Sequence, residues 1–426
     1  MKFKLTKEER NWVLYDVGNS AFTLLVSTIM PIYFNYLAES AGLTDVEYMA
    51  YWGYVASIAT LIVAFMGPIC GALADTKGYK KPIFTISLLI GAAGCIGLGF
   101  AKNWALFLMI LIFAKVGYSG TLIFYDSMLP DVTVEERMDN VSSQGFAWGY
   151  IGSCIPFILS LILVLGADTI GISLEMAMAI AFFMIAAWWV GMTLPLLKTY
   201  RQKYYVEKRP HVVKESFARL GRTFKNVRKE KKVFLFLLAF FFYIDGVYTI
   251  IDMATAYGSA LGLDSTGLLL ALLVTQFVAF PFAILFGRFS QKFESEKLIM
   301  VCIIAYFGIA VFATFLKNQT QFWILAVLVG MFQGGIQALS RSYFTKIIPA
   351  NQSGEYFGLL DICGKGASFM GTTIVSLVSQ LTGDISKGVG TISLLFIIGI
   401  VLFRFAVKAN AIDRNESKQD EKNLCA

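Results

Sequence analysis

The chain has 426 residues, 57% apolar and only 15% charged, with 37 Phe, 19 Tyr and 7 Trp. Soluble domains are nearer half apolar and a quarter charged, so this composition excludes a disordered protein, a nucleic-acid binder and an ordinary soluble enzyme. It points to a polytopic membrane protein, whose helices are apolar nearly all round because lipid cannot satisfy exposed polar groups. The net charge of +7 has a local source. Thirteen Lys and Arg face three acidic residues between Lys198 and Lys232, as in a cytoplasmic loop under the positive-inside rule, with anionic headgroups as a secondary partner.

Twelve apolar stretches are long enough to span: 11–37, 48–72, 83–101, 104–129, 141–166, 172–197, 233–258, 265–287, 298–316, 321–347, 356–382 and 387–407. Each exceeds the roughly 17 residues that cross about 30 Å of hydrocarbon. Lys2, Lys4, Lys7 and Arg10 precede the first stretch like a signal n-region, but the stretch is too long for a cleavable segment and is expected to stay as a helix. Loops after odd-numbered spans are poor in Lys and Arg. The N-terminus, Lys77, Lys80, Lys81, the long basic loop, Arg288, Lys292 and Lys297 fall on the other side, which places both termini in the cytoplasm.

The expected architecture is therefore an all-α membrane protein of twelve transmembrane helices in two six-helix bundles. Residues 1–198 form the first bundle, 199–232 a basic linker, 233–408 the second bundle and 409–426 a disordered, mixed-charge tail. The halves echo each other: Gly71-Ala-Leu-Ala-Asp75 ends span 2 as Gly287-Arg-Phe-Ser-Gln291 ends span 8, and Pro130 and Pro349 follow spans 4 and 10. Residues 216–232 are expected to form an interfacial amphipathic helix.

No catalytic motif, CxxC pair or Cys/His cluster is present, so neither an enzyme nor a metal or other cofactor is expected. His211, the only histidine, lies in the basic loop, which leaves carboxylates as the carriers for any proton coupling. The informative residues are charges inside apolar spans, where each costs roughly 2.5 kcal/mol or more unless partnered or hydrated. In span 1, Asp16, Asn19, Ser20, Thr23 and Ser27 share one helical stripe and suggest a face on a water-filled cavity, against plain helix–helix hydrogen bonding. Span 4 holds Lys115 and Tyr118 near mid-depth and Asp126 toward the cytoplasmic end. Span 7 holds Asp245 near mid-depth, followed on the same face by Tyr248 and Asp252. Lys115 and Asp245 are either the two poles of a zwitterion site or a self-neutralising pair. In span 10, Gln333, Gln337 and Arg341 repeat every four residues, and Arg341 matches Asp126 in depth as a candidate gate pair or as a snorkelling side chain. In span 11, Asp361 and Lys365 are spaced to pair with each other.

The loop Gly71-Ala-Leu-Ala-Asp75-Thr-Lys-Gly78-Tyr79-Lys80-Lys81 resembles the signature between helices 2 and 3 of the major facilitator superfamily, with Tyr79 where Arg is usual. Within it, the chain resembles the vacuolar effluxer family, the autophagy-linked amino acid exporters of fungi and their bacterial relatives. The matching pieces are Trp12-Val-Leu-Tyr-Asp16-Val-Gly-Asn19-Ser-Ala-Phe22, Asp245-Gly-Val-Tyr-Thr-Ile250, Gly334-Gly-Ile-Gln-Ala-Leu-Ser-Arg-Ser342 and Phe357-Gly-Leu-Leu-Asp-Ile-Cys-Gly364-Lys365. The resemblance implies a pseudo-symmetric facilitator fold with helices 1, 4, 7 and 10 around the solute, and a latch in which Asp75 faces the N-terminus of helix 11. The expected function is secondary transport of a small polar solute, amino acids first, by alternating access with protons as candidate coupling ion. Export of amphipathic drugs or lipids is the alternative. Asp16, Asn19, Lys115, Tyr118, Asp245, Tyr248, Gln333 and Gln337 are the candidate substrate contacts, and Asp16 and Asp245 the proton carriers. Gly71, Asp75, Gly78, Lys80, Asp126, Arg341, Asp361 and Lys365 are the gate candidates. The expected setting is a monomer in a bacterial cytoplasmic membrane, with the solute, the bilayer and protons as partners and no nucleic acid.

Overall fold

A computed structural model describes residues 3–208, 212–227 and 229–424. His211 and Cys425 lie outside them. Among the described residues the backbone is helical almost throughout and has no strand; one isolated bridge joins Thr76 and Val206. The long helices are α1 Lys7–Ser40, α2 Asp45–Ala74, α3 Lys80–Leu98, α4 Trp104–Ser127, α5 Glu135–Leu165, α6 Leu174–Thr199, α7 Lys231–Ala260, α8 Ser265–Phe289, α9 Ser295–Thr314, α10 Gln319–Ile347, α11 Ser353–Thr382 and α12 Ile392–Leu424. Among the described residues, eleven helices are long and apolar enough to cross a membrane. The remaining expected span falls on α11, 30 residues that carry Glu355, Asp361 and Lys365 in their first half.

The helix starts follow from local chemistry. Thr6 and Thr44 close capping boxes with Glu9 and Glu47, and Asn103, Ser173, Asp264 and Asn318 each accept a bond from a first-turn amide. The two halves use the same devices at the same places. The α1–α2 and α7–α8 turns each pass through a left-handed glycine, Gly42 (φ 74°) and Gly262 (φ 73°), two residues before a side-chain cap. Asn103 caps α4 as Asn318 caps α10.

The chain divides into two compact units. One holds the residues up to Lys208 together with Asn351–Gly358; the other holds the rest. In the first unit α1 packs on α5 and α6, α2 on α4, and α3 on α4 and α6. In the second, α7 packs on α12, α8 on α10, and α9 on α10 and α12. The second-on-fourth, third-on-fourth, first-on-sixth and third-on-sixth pairings thus recur, which is the signature of a duplicated bundle.

Several boundaries differ from the sequence expectation. Helix α5 starts at Glu135, six residues before its apolar run, because its first turns bear on α1 rather than on lipid. Helix α12 continues to Leu424 instead of giving way to a disordered tail; the segment contains neither Gly nor Pro. The amphipathic helix is Val212–Val227, not 216–232.

The start of α1 is anchored by a buried carboxylate. Glu9 is 1% exposed and accepts from the Thr6 amide at 2.7 Å, from the Thr133 hydroxyl at 2.7 Å and from both Nε and Nη2 of Arg137 at 2.7 Å. Arg137 also donates to the Lys4 carbonyl and lies 4.3 Å from the Phe3 ring. Arg137→Ala leaves Glu9 buried without its cation and is expected to destabilise the protein by about 2–3 kcal/mol. Arg137→Lys should fall in between, since an ammonium cannot reproduce the two-pronged bond. Thermal unfolding in detergent checks both, and wild-type stability in Arg137→Ala would show that Glu9 needs no cation.

Candidate functional site

The signature loop builds a buried polar node in the first unit. The sequence ends α2 with Gly71-Ala-Leu-Ala so that another backbone can come close: a Cβ on Gly71 would lie 2.2 Å from the Gly354 carbonyl oxygen. Asp75, fully buried at the end of α2, accepts the Gly354 amide on Oδ1 at 2.8 Å and the Glu355 amide on Oδ2 at 2.9 Å. These are first-turn amides of α11, where the helix dipole favours a carboxylate. Lys80 is likewise 0% exposed. Its Nζ lies 3.7 Å from Asp75 and 3.6 Å from Asp131, and donates to the Ser127 carbonyl at 3.2 Å and the Ser353 hydroxyl at 2.9 Å. Gly78 takes a left-handed φ of 79° in the turn between them.

Asp131 then fixes the beginning of the linker. Its Oδ2 accepts the Tyr200 hydroxyl at 2.5 Å and its Oδ1 accepts the Lys203 and Tyr204 amides at 2.9 Å. Burial pushes the Tyr200 phenol well above its ordinary range and the Asp131 charge adds to the shift, so Tyr200 remains a donor. Gln202 bridges the Ala74 carbonyl and the Gly78 amide, and Val206 pairs its backbone with Asp75 and Lys77. Residues 200–208 are thus a docked strap rather than a free tether, because their backbone groups complete the donor and acceptor set of the loop at 74–79.

On α1 the polar stripe splits. Asp16 and Asn19 are buried; Asp16 accepts from the Tyr125 hydroxyl at 2.8 Å and from Asn19 Nδ2 at 3.3 Å. The Tyr125 ring stacks on Trp12 at 4.3 Å and packs against Tyr15. Ser20 faces α5, where a Cβ on Gly149 would lie 2.8 Å from its hydroxyl. Two and three turns beyond Asp16, Thr23 and Ser27 are uncovered by protein within the described fold, and Thr23 shares a 2.6 Å bond with Tyr118. Lys115, one turn from Tyr118 on α4, and Asp126 are half-buried.

In the second unit Asp245 is fully buried in α7. Its Oδ1 accepts the Gly371 amide at 3.0 Å and the Thr249 hydroxyl at 3.2 Å, while Oδ2 has no hydrogen-bond partner and no cation pairs with it among the described residues. Tyr248 is half-buried on the next turn, and Asp252 is exposed. Gln333 is buried and edges an apolar cavity of about 50 Å³ lined by Ile250, Leu272, Phe322 and Val329; Gln337 is half-buried. Arg341 is 5% exposed at the far end of α10. Asp361 and Lys365 pair along α11 at 2.5 and 2.6 Å, which satisfies the charges within one helix. No group of His, Cys, Asp and Glu that could hold a metal is found among the described residues.

Sequence reasoning missed Asp131, Tyr200, Ser353, Thr249 and Gly371. Asp131 had a weak signal, an acid directly after the Pro that ends span 4, and Thr249 sits at i+4 from Asp245. Gly371 had none: its role depends on a tertiary approach.

The chain matches the family described as "Vacuole effluxer Atg22 like" over residues 5–417. It is 44% identical to the MFS-type transporter YxiO of Bacillus subtilis over 425 residues, 99% of each chain. It is 26% identical to autophagy-related protein 22 of Saccharomyces cerevisiae, covering 96% of this chain and 81% of that one. In fold it is similar to the human organic anion transporter MFSD10 (TM-score 0.71, 13% identity, 94% and 100% coverage). It is also similar to the major facilitator transporter FucP in its outward conformation (TM-score 0.70, 14% identity, 94% and 98% coverage).

Removing the Lys80 ammonium leaves two buried carboxylates facing each other. Lys80→Ala is expected to cost about 3–5 kcal/mol. Lys77→Ala, whose side chain is 54% exposed and pairs with the exposed Glu207, should stay within about 0.5 kcal/mol. Thermal unfolding of the purified variants measures the difference; equal midpoints would mean that Lys80 is not what neutralises the node.

Proposed function

Because the chain belongs to the Atg22-like vacuole effluxer family of major facilitator transporters, we propose that it carries a small polar solute, amino acids foremost, by alternating access, with protons as the coupling ion and Asp245 as their carrier. Membership makes it a multi-pass membrane transporter and not an enzyme. The finer reading rests on one observation: Asp245 is fully buried in a membrane-spanning helix with one carboxylate oxygen unpartnered among the described residues. A bare charge at that depth is costly, so such an oxygen is suited to take up a proton or an N–H of the solute. Asp16, the other candidate carrier, is engaged by Tyr125 and Asn19. Lys115 is the anchor proposed for the solute's carboxylate, on account of its charge and depth in α4.

The test is uptake of a labelled amino acid mixture into proteoliposomes, with and without an inward proton gradient. Asp245→Asn is expected to abolish gradient-driven accumulation while leaving solute exchange at zero gradient. A Cβ at Gly371 would lie 2.2 Å from Asp245 Oδ1 and 2.1 Å from Thr249 Oγ1, so Gly371→Ala must displace the carboxylate and should cut accumulation severalfold. Lys115→Ala should weaken uptake with and without the gradient. Undiminished accumulation in Asp245→Asn would end its coupling role. Absence of uptake by folded wild type in either orientation would remove amino acids as the solute.

A further inference from the structure

We infer that the helix Val212–Val227 docks on the bilayer surface and recognises anionic lipid headgroups, a role independent of which solute is carried. Among the residues of this helix whose side chains are described, Ser216, Leu220, Thr223 and Val227 are buried, spaced 4, 3 and 4 and therefore on one stripe. That stripe closes on the protein's own chain. The opposite side leaves Lys214, Phe217, Gly221, Arg222 and Lys225 exposed.

Two features identify what covers this side. The first is charge. Between Lys214 and Lys232 there are eight Lys and Arg against Glu215 and Glu230. Among the described residues Lys214 and Lys225 carry no ion pair; Arg222 pairs with Glu215 at 3.6 Å, both side chains substantially exposed, and donates to the Ala218 carbonyl of its own helix. The second is Phe217, which is 50% exposed and lies one turn from Lys214 on the edge of the basic side. An uncovered aromatic side chain among lysines and arginines is the pattern of a helix lying in the interface plane, ring toward the acyl boundary and cations among headgroup phosphates. A surface of this sign has its partner in the negative potential of an anionic leaflet. A soluble acidic protein would satisfy the cations but not the ring at the level where the chain enters α7.

The experiment uses the full-length protein in nanodiscs with a single reporter. Phe217→Cys, on a background with Cys70, Cys363 and Cys425 changed to Ser, is labelled with an environment-sensitive fluorophore. Discs of phosphatidylcholine alone are compared with discs containing phosphatidylglycerol. The expected result is blue-shifted emission and severalfold weaker quenching by aqueous iodide in the anionic discs. High salt and the triple variant Lys214→Gln, Arg222→Gln, Lys225→Gln should both reverse it. All three cations are exposed, so the triple variant is expected to keep the wild-type melting temperature. Identical emission and quenching in the two disc types would overturn the proposal. So would a shift insensitive to both salt and the triple variant, which would assign the face to apolar packing instead.

Discussion

A lysine ammonium with no access to solvent, between two equally buried carboxylates, is the interaction on which the first unit depends. Lys80 supplies one positive charge against Asp75 and Asp131. The excess negative charge is spread over neutral donors: two amides at the start of α11 for Asp75, and a phenol and two linker amides for Asp131. Buried ion pairs gain stability only when the remaining lone pairs are met in this way. The node thereby joins four stretches of chain that are far apart in sequence, at 71–80, 127–131, 200–206 and 353–355.

That arrangement explains features that look unrelated in the sequence. Gly71 and Gly354 are glycines because their backbones must approach more closely than a Cβ permits. Ser353 both accepts from Lys80 and donates to the Ser127 carbonyl, which ties the start of α11 to the end of α4. The linker begins in an extended strap because its amides are needed where Asp131 and Asp75 leave acceptors open. The replacement of the usual Arg by Tyr79 leaves this geometry intact: the cation that reaches the node is Lys80, while Tyr79 lies outside it beneath the Lys208 ammonium, 5.5 Å from its ring.

Apolar run length located the spans, since a helix facing lipid has to be apolar nearly all round and its ends are marked by caps and glycines. Asp245 and the Asp361–Lys365 pair were legible for the same reason: a charge stands out against an apolar background. Asp75, three residues past its run, was legible only through the resemblance of its loop to the superfamily signature. Charges beside the apolar runs did not stand out. Glu9, Asp131 and Arg137 read as ordinary flanking residues, yet they are among the most heavily bonded side chains of the first unit. The strap and Gly371 were not legible at all, because backbone amides have no residue-type signature and a glycine's value here lies in what approaches it. Composition misled in the last segment, where mixed charge suggested disorder and helix formers without Gly or Pro extend α12 instead.

Three of the acids inside or beside the spans differ in how completely they are satisfied among the described residues. Glu9 accepts from an amide, a hydroxyl and both prongs of a guanidinium. Asp16 accepts from a phenol that is itself fixed by stacking on Trp12. Both carboxylates have partners on neighbouring turns or helices. Asp245 is buried as deeply but among the described residues is held on one oxygen, by a weak hydroxyl contact and the amide of a glycine. Native structures leave few buried polar atoms unmet. A carboxylate steadied on one oxygen, with the other unpartnered among the described residues, can change its partner without unfolding its surroundings, and the coupling role proposed for Asp245 rests on that difference.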